Sequence, residues 1–138
     1  MPMIDVHLPE GLIPTPSHAE LGRRLTHALL RWEGNPVAPP YSDHTAAFVH
    51  VLPASSIHTA ASPEAQGVRV QVITPPGGLD RAGQLGFVEE ATATVADLAG
   101  DDTLAERTWV ILTEAMEGGW GVAGFALGKA EFAALRGG

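Results

Sequence analysis

The sequence predicts an α+β fold: two consecutive β-α-β units forming a four-stranded sheet with two helices on one face, closed by a C-terminal β-hairpin. Three observations predict it. The segments Met3-Ile4-Asp5-Val6-His7-Leu8 and Val68-Arg69-Val70-Gln71-Val72-Ile73 alternate apolar and polar residues with the period of two that a half-buried strand requires. Each is followed by a stretch with helical spacing and then by a second strand-like run, so one pattern occurs twice. The tail Gly118-Gly119-Trp120-Gly121-Val122-Ala123-Gly124-Phe125 carries the glycines that a tight hairpin needs for positive φ and close backbone approach.

In chain order, Ile4, Val6 and Leu8 form the buried face of the first strand. Ser17-His18-Ala19-Glu20 reads as a capping box opening a helix that runs to about Trp32, with Leu21, Leu25, Ala28, Leu29 and Trp32 on one face. The prolines between Gly34 and Pro40 enforce a loop. Thr45 to Leu52 is the second strand, stopped by Pro53, and completes a first unit over residues 2–53. Residues 54–67 form a connector with one short edge strand expected near Ile57-His58. The second unit, 68–138, opens with Val68 to Ile73 and turns at Pro75-Pro76-Gly77-Gly78. Its helix starts from an Asp80 cap, carries Leu85, Val88, Ala91, Val95 and Leu98 inward, and ends at Gly100. A strand from about Thr108 to Thr113, the hairpin and a helix from about Lys129 to Leu135 complete a single domain.

Composition narrows the function. The 138 residues carry a net charge of −8 and no Lys/Arg cluster larger than Arg23-Arg24, which opposes nucleic acid as a partner. No apolar run reaches the roughly 20 residues of a membrane helix, and the start lacks the basic and apolar regions of a signal peptide. A soluble, cytoplasmic protein without a membrane partner is expected. With no cysteine there is no thiolate chemistry. Neither a His-x-x-x-His helix nor a carboxylate cluster has ligand spacing, so no metal site is expected, and His7 and His50 read as hydrogen-bonded residues of an oligomer interior. Two right-handed units leave the second sheet face uncovered. Asp5, His7, Phe48, His50, Arg69, Gln71, Trp109 and Ile111 should lie there, and packing of these faces in a symmetric oligomer would cover them.

Three stretches together resemble the tautomerase superfamily and span nearly the whole chain. Pro2-Met3-Ile4-Asp5-Val6-His7-Leu8-Pro9-Glu10-Gly11 is similar to the opening of the 4-oxalocrotonate tautomerases. Val110-Ile111-Leu112-Thr113-Glu114-Ala115-Met116-Glu117-Gly118-Gly119-Trp120-Gly121-Val122-Ala123-Gly124 resembles that group's last strand and glycine hairpin without a gap. Phe48-Val49-His50-Val51-Leu52-Pro53 is similar to a strand of the macrophage migration inhibitory factors, and Trp120 to Phe132 resembles the end of the two-unit malonate semialdehyde decarboxylases. The resemblance implies a homotrimer, no cofactor, and Pro2 as the catalytic residue once Met1 is removed. A secondary α-amine has a reference pKa near 8, and an apolar, cationic pocket lowers it toward neutrality. Retention of Met1 would acylate that nitrogen and abolish the base.

The chain departs from the family where carboxylates are bound. Leu12 and Trp109 stand where the diacid tautomerases place two arginines, and neither can make bidentate charged hydrogen bonds. The decarboxylase arginines are lost within Thr74 to Leu79, its water-activating aspartate falls near Asp43 or His44, and the one lysine, Lys129, is far from the position the inhibitory factors use. Trp109 and Trp120 remain as aromatic walls of the substrate site. Arg69, Arg81 and Arg107 are the candidate carboxylate ligands, with Arg81 preferred and a solvated helix-start arginine as the alternative. The leading expectation is a tautomerase acting on a small 2-oxo acid or its enol. A lyase or hydratase of the decarboxylase and dehalogenase kind, and a trimeric member without catalysis, are the alternatives.

Overall fold

A computed structural model describes residues 1–137. The elements are β1 (Met3–Pro9), α1 (His18–Trp32), β2 (Ala46–Leu52), β3 (Val68–Thr74), α2 (Arg81–Ala99), β4 (Thr108–Glu114), β5 (Trp120–Val122), β6 (Phe125–Leu127) and α3 (Lys129–Gly137). The four-stranded sheet has the order β2-β1-β3-β4. Strands β1 and β2 pair in parallel, as do β3 and β4, and the two units join through the antiparallel pair β1–β3. The expected fold class, two β-α-β units and a hairpin, is therefore the observed one.

Both helices cover one sheet face. Ile4, Val6 and Leu8 of β1 and Val68, Val70 and Val72 of β3 are fully buried beneath Leu21, Leu25 and Leu29 of α1 and Phe87, Ala91 and Val95 of α2. The helices are tied across the units. Arg24 donates to Asp97 at 2.6 Å, Arg31 to Glu90 at 2.6 Å, and the Trp32 indole N–H to the same Glu90 at 2.8 Å. On the hairpin, Ala123 and Gly124 both have positive φ, 51° and 80°, which is the geometry of a two-residue turn that follows the twist of its strands.

Three local expectations are corrected. Ser17 does not act as a capping-box residue, because a 3-10 turn over Thr15–Ser17 already places its backbone in the helical region (φ −89°, ψ −4°) and its hydroxyl caps nothing; Glu20 instead accepts from Arg23. By contrast, extended Asp80 does accept from the Gly83 N–H at 2.7 Å, and Gly100 closes α2 at φ 66°. No edge strand forms at Ile57-His58. The connector spends its hydrogen-bonding groups on itself, with a 3-10 turn over Ala54–Ser56, a Thr59–Ser62 bridge, and the Ala65 N–H on the Ile57 carbonyl. Finally, the inner stripe of α2 is rotated: Phe87 is fully buried while Leu85 is mostly exposed. Phe87, Ala91 and Val95 satisfy the four-residue spacing with the largest side chain innermost, which leaves Leu85 and Val88 along the groove between α2 and β4.

The uncovered face carries two rows running across the sheet. One reads His50–His7–Arg69–Trp109 and the other Phe48–Asp5–Gln71–Ile111. Phe48, Trp109 and Ile111 are each close to half exposed, so the predicted composition of this face is present. The rotation of α2 is testable by chemical denaturation: Phe87→Ala should cost about 3–5 kcal/mol by leaving a cavity, and Leu85→Ala less than about 1 kcal/mol.

Candidate functional site

Because β1 starts at the third residue and lies inside the sheet, the chain's first two residues are drawn into the protein. Met1 and Pro2 are buried, and the Pro2 carbonyl extends the ladder by accepting the Ala46 N–H at 3.3 Å. Around Met1 lies a second apolar cluster, separate from the main core, made by Leu30 of α1, Tyr41, Trp120 of β5 and Phe132 of α3, with Met3, Ala115 and Leu127 at its border. The C-terminal hairpin and helix thus close over the amino terminus.

The end of α1 supplies the polar side of this pocket. Gly34, at φ 76°, reverses the chain in the left-handed conformation, and the Asn35 N–H returns to the Leu30 carbonyl at 2.9 Å. This reversal points Glu33 and Asn35 inward. The Glu33 side chain is fully buried; its Oε2 lies 3.8 Å from the Met1 amine and accepts the Asn35 amide N–H at 3.3 Å. Among the described residues four buried side-chain polar atoms have no partner, and three of them, Glu33 Oε1, Asn35 Oδ1 and Tyr41 OH, belong to residues around Met1. The polar groups without a protein partner are thus concentrated beside the amino terminus.

Burial dominates the electrostatics. It pushes the Glu33 carboxyl up to about 7, against the opposing influence of the terminal amine, the Asn35 hydrogen bond and Arg136. Burial likewise lowers the amine, which Glu33 counteracts and Arg136 reinforces. A weak acid and a weak base therefore face each other in an apolar surrounding. Arg136, on α3, is the cation whose charge reaches both groups.

The sequence-predicted residues are spread over several separate places. Trp120 belongs to the cluster around Met1, and Pro2 is buried next to Met1 in the chain. Arg69 and Trp109 lie on the uncovered sheet face, lining a cavity of about 370 Å³ with His7, Leu52 and Ile57. Arg81 lines the groove between α2 and β4 with Gln84 and Leu85. Arg107 is occupied with the Gln66 carbonyl at 2.8 Å and with Asp101. Asp43 and His44 are exposed on a 3-10 turn. His7 and His50 stack with ring centroids 4.3 Å apart, and Asp5 bonds the His50 ring at 2.6 Å. Burial, His50 and Arg69 together lower the His7 pKa.

Glu33, Asn35, Tyr41 and Arg136 were not predicted. The only sequence signal for the first two is Gly34 just past a helix end, which reports a reversal without saying what it faces. No helix of the described residues is long and apolar enough to cross a membrane, and no group of three His, Cys, Asp or Glu residues among them could hold a metal.

No family model matches the sequence, and no curated protein matches it. Solved structures do. A fused 4-OT described as a symmetric trimer superposes with a TM-score of 0.75 at 19% identity, covering 89% of this chain and 93% of its own. A protein inactivated by 2-oxo-3-pentynoate gives 0.77 at 18% identity over 94% and 98%. A member of the cis-3-chloroacrylic acid dehalogenase family gives 0.72 at 22% identity over 97% and 90%.

The pocket makes a prediction about stability. Folding raises the Glu33 carboxyl from 4.5 to about 7, so the folded protein binds this proton more tightly than the unfolded chain. The contribution is most favourable below the lower value and is lost as pH rises to the upper one. Thermal unfolding should therefore show Glu33→Gln gaining stability relative to the parent between about pH 5 and about pH 8. A gap that is constant over this range would argue against an elevated Glu33.

Proposed function

We propose that this chain, whose fold is that of the tautomerase superfamily, is a cofactor-free tautomerase that uses Pro2, after removal of Met1, to move a proton on a small 2-oxo acid or its enol. The observation that carries this reading is the burial of the amino terminus in its own apolar pocket. Loss of Met1 would empty the space bordered by Leu30, Tyr41, Trp120 and Phe132 and leave the Pro2 nitrogen as the free amine beside it. Desolvation there favours the neutral amine, which can accept a proton near neutral pH and return it to the neighbouring carbon of the bound substrate. Trp120 offers the apolar surface for a substrate side chain. Arg136 is the cation whose charge reaches this pocket, and the reading assigns it the attraction of the substrate carboxylate. Arg69, Trp109 and Arg81 do not line this pocket within their own subunit, and a part for them in binding the substrate there would require a second copy to bring them to it.

That assembly is proposed to be a homotrimer in which the rows containing Phe48, Trp109 and Ile111 are covered. Among the structural relatives, fused 4-OT proteins are described as trimers. Light scattering at micromolar concentration should report three chains; a monomer would remove the explanation for the apolar face.

Intact mass is the first measurement, and it should correspond to a chain beginning at Pro2. Pro2→Ala, which replaces a secondary amine with a primary one, should lower kcat/KM for phenylenolpyruvate by about tenfold or more. 2-Oxo-3-pentynoate, an electrophile toward an amine, should add once to the N-terminal peptide of the parent. Equal rates for parent and variant, or a retained Met1, would remove Pro2 from the chemistry.

Substrate charge gives a further test. Without the two arginines of the diacid pattern, a second carboxylate would enter an apolar pocket unpaired at a cost of several kcal/mol, so phenylenolpyruvate should be preferred over 2-hydroxymuconate. A tenfold preference for the diacid would show that charge recognition comes from elsewhere in the assembly.

A further inference from the structure

The N-terminal pocket contains a second ionisable group that the proposed reaction has not yet used. Glu33 is only 8% exposed as a residue and its side chain not at all, yet a buried carboxylate costs several kcal/mol unless paired and fully hydrogen-bonded. Neither condition is met: the amine is at 3.8 Å, Oε2 has one 3.3 Å bond from Asn35, and Oε1 has none. The surroundings are nevertheless shaped to this side chain. A Cβ on Gly78 would come within 2.7 Å of Oε1, so the turn after β3 lies directly against the carboxyl.

We infer that Glu33 and the N-terminal amine form an acid–base pair that holds a single proton between them, with Glu33 as the acidic partner in proton transfer. The inference rests on the proposed tautomerase reading for its chemical use: the 3.8 Å separation is that of the Met1 amine, and the chemistry requires the Pro2 nitrogen, freed when Met1 leaves, to meet the same carboxyl. Two forms of the pair have the same number of protons: neutral amine with carboxylic acid, and ammonium with carboxylate. In the first, the amine takes a proton from the carbon beside the substrate carbonyl as the Glu33 O–H gives its proton to the carbonyl oxygen. A C–H bond breaks, an O–H bond forms, and the pair is left as ammonium and carboxylate. Transfer of that proton from nitrogen to carboxylate restores the starting form. Ketonisation of an enol runs the same steps backwards.

This arrangement answers the loss of the family's arginines. Protonated Glu33 can stabilise an enolate oxygen by donation, where an ionised one would repel both the enolate and the substrate carboxylate. The charged and titratable groups facing Glu33 are few. They are the terminal amine and Arg136 from α3, with Asn35 as a neutral donor, while the Tyr41 phenol belongs to the cluster around Met1. The Gly78 turn contributes backbone only, although Lys129 packs against the neighbouring Gly77. The elevated carboxyl and depressed amine lie in the directions that such sharing needs.

The experiment follows the amine and the reaction separately in the intact protein, using parent, Glu33→Gln and Glu33→Asp. The 15N resonance of the N-terminal amine is titrated, and kcat/KM for ketonisation of phenylenolpyruvate is measured against pH. In the parent the rate should be bell-shaped, falling at low pH as the pair gains a second proton and at high pH as it loses its last. In Glu33→Gln the low-pH limb should vanish, kcat/KM at its maximum should drop about tenfold or more, and the amine should titrate at least about half a pH unit lower without its anionic neighbour. Glu33→Asp, which restores a titrating carboxyl, should bring the low-pH limb back at a reduced rate. An amine that titrates identically in parent and Glu33→Gln, or a low-pH limb that survives in Glu33→Gln, overturns the inference and leaves the role of Pro2 standing. An inactive parent whose amine still shifts in Glu33→Gln overturns the proposed function and leaves the pair standing.

Discussion

The position of β1 is the constraint on which the rest of this structure depends. It is an interior strand, hydrogen-bonded on one side to β2 and on the other to β3, and it begins two residues after the chain does. A central strand cannot fray without breaking two ladders, so the amino terminus is held inside the protein by the same bonds that hold the sheet. Everything that gives the N-terminal pocket its character follows. The end of α1 must turn back over it, the hairpin and α3 must close it, and any ionisable group near it must titrate without the help of bulk water.

That dependence links two clusters that look separate in the packing. The main core lies between the sheet and the two helices and would be complete without the last residues of the chain. The cluster around Met1 needs Trp120, Leu127 and Phe132 from the C-terminal hairpin and helix. One end of the chain therefore encloses the other, and the pocket exists only when both units and the tail are in place. Arg136 takes part at long range, through charge rather than contact, from the last helix.

The fold was legible because it is written in local periodicity. Alternation in β1 and β3, the Asp80 and Gly100 caps, and the glycines of the hairpin each specify their own element without reference to distant residues. What failed was of two kinds. Ser17 and Leu85 were misread because a neighbour outcompeted them: the proline-rich 3-10 turn took the backbone of Ser17, and Phe87 took the inner position on α2. Glu33, Asn35, Tyr41 and Arg136 were missed for another reason. Their chemistry arises from which surfaces the chain brings together over long sequence separations, and a glutamate after a helix end reads as solvated until the tail is folded over it. The arginines singled out from the resemblance, Arg69 and Arg81, illustrate the converse: family analogy chose residue types, and only the topology could say which corner of the subunit each occupies.

The duplicated architecture has an arithmetic of its own. The start of β3 corresponds to the start of β1, yet there the chain continues into Gly67 and Gln66, whose carbonyl is taken by Arg107, and no amine exists. Of two architecturally equivalent corners, only one can ever bear a free terminus. A single polypeptide holding both units has one terminal amine where two separate units would have two, and the second corner is closed by continuing chain. There Gly67 lies against the Trp109 ring, which leaves no room for a side chain, and the two border the cavity of about 370 Å³ on the uncovered face.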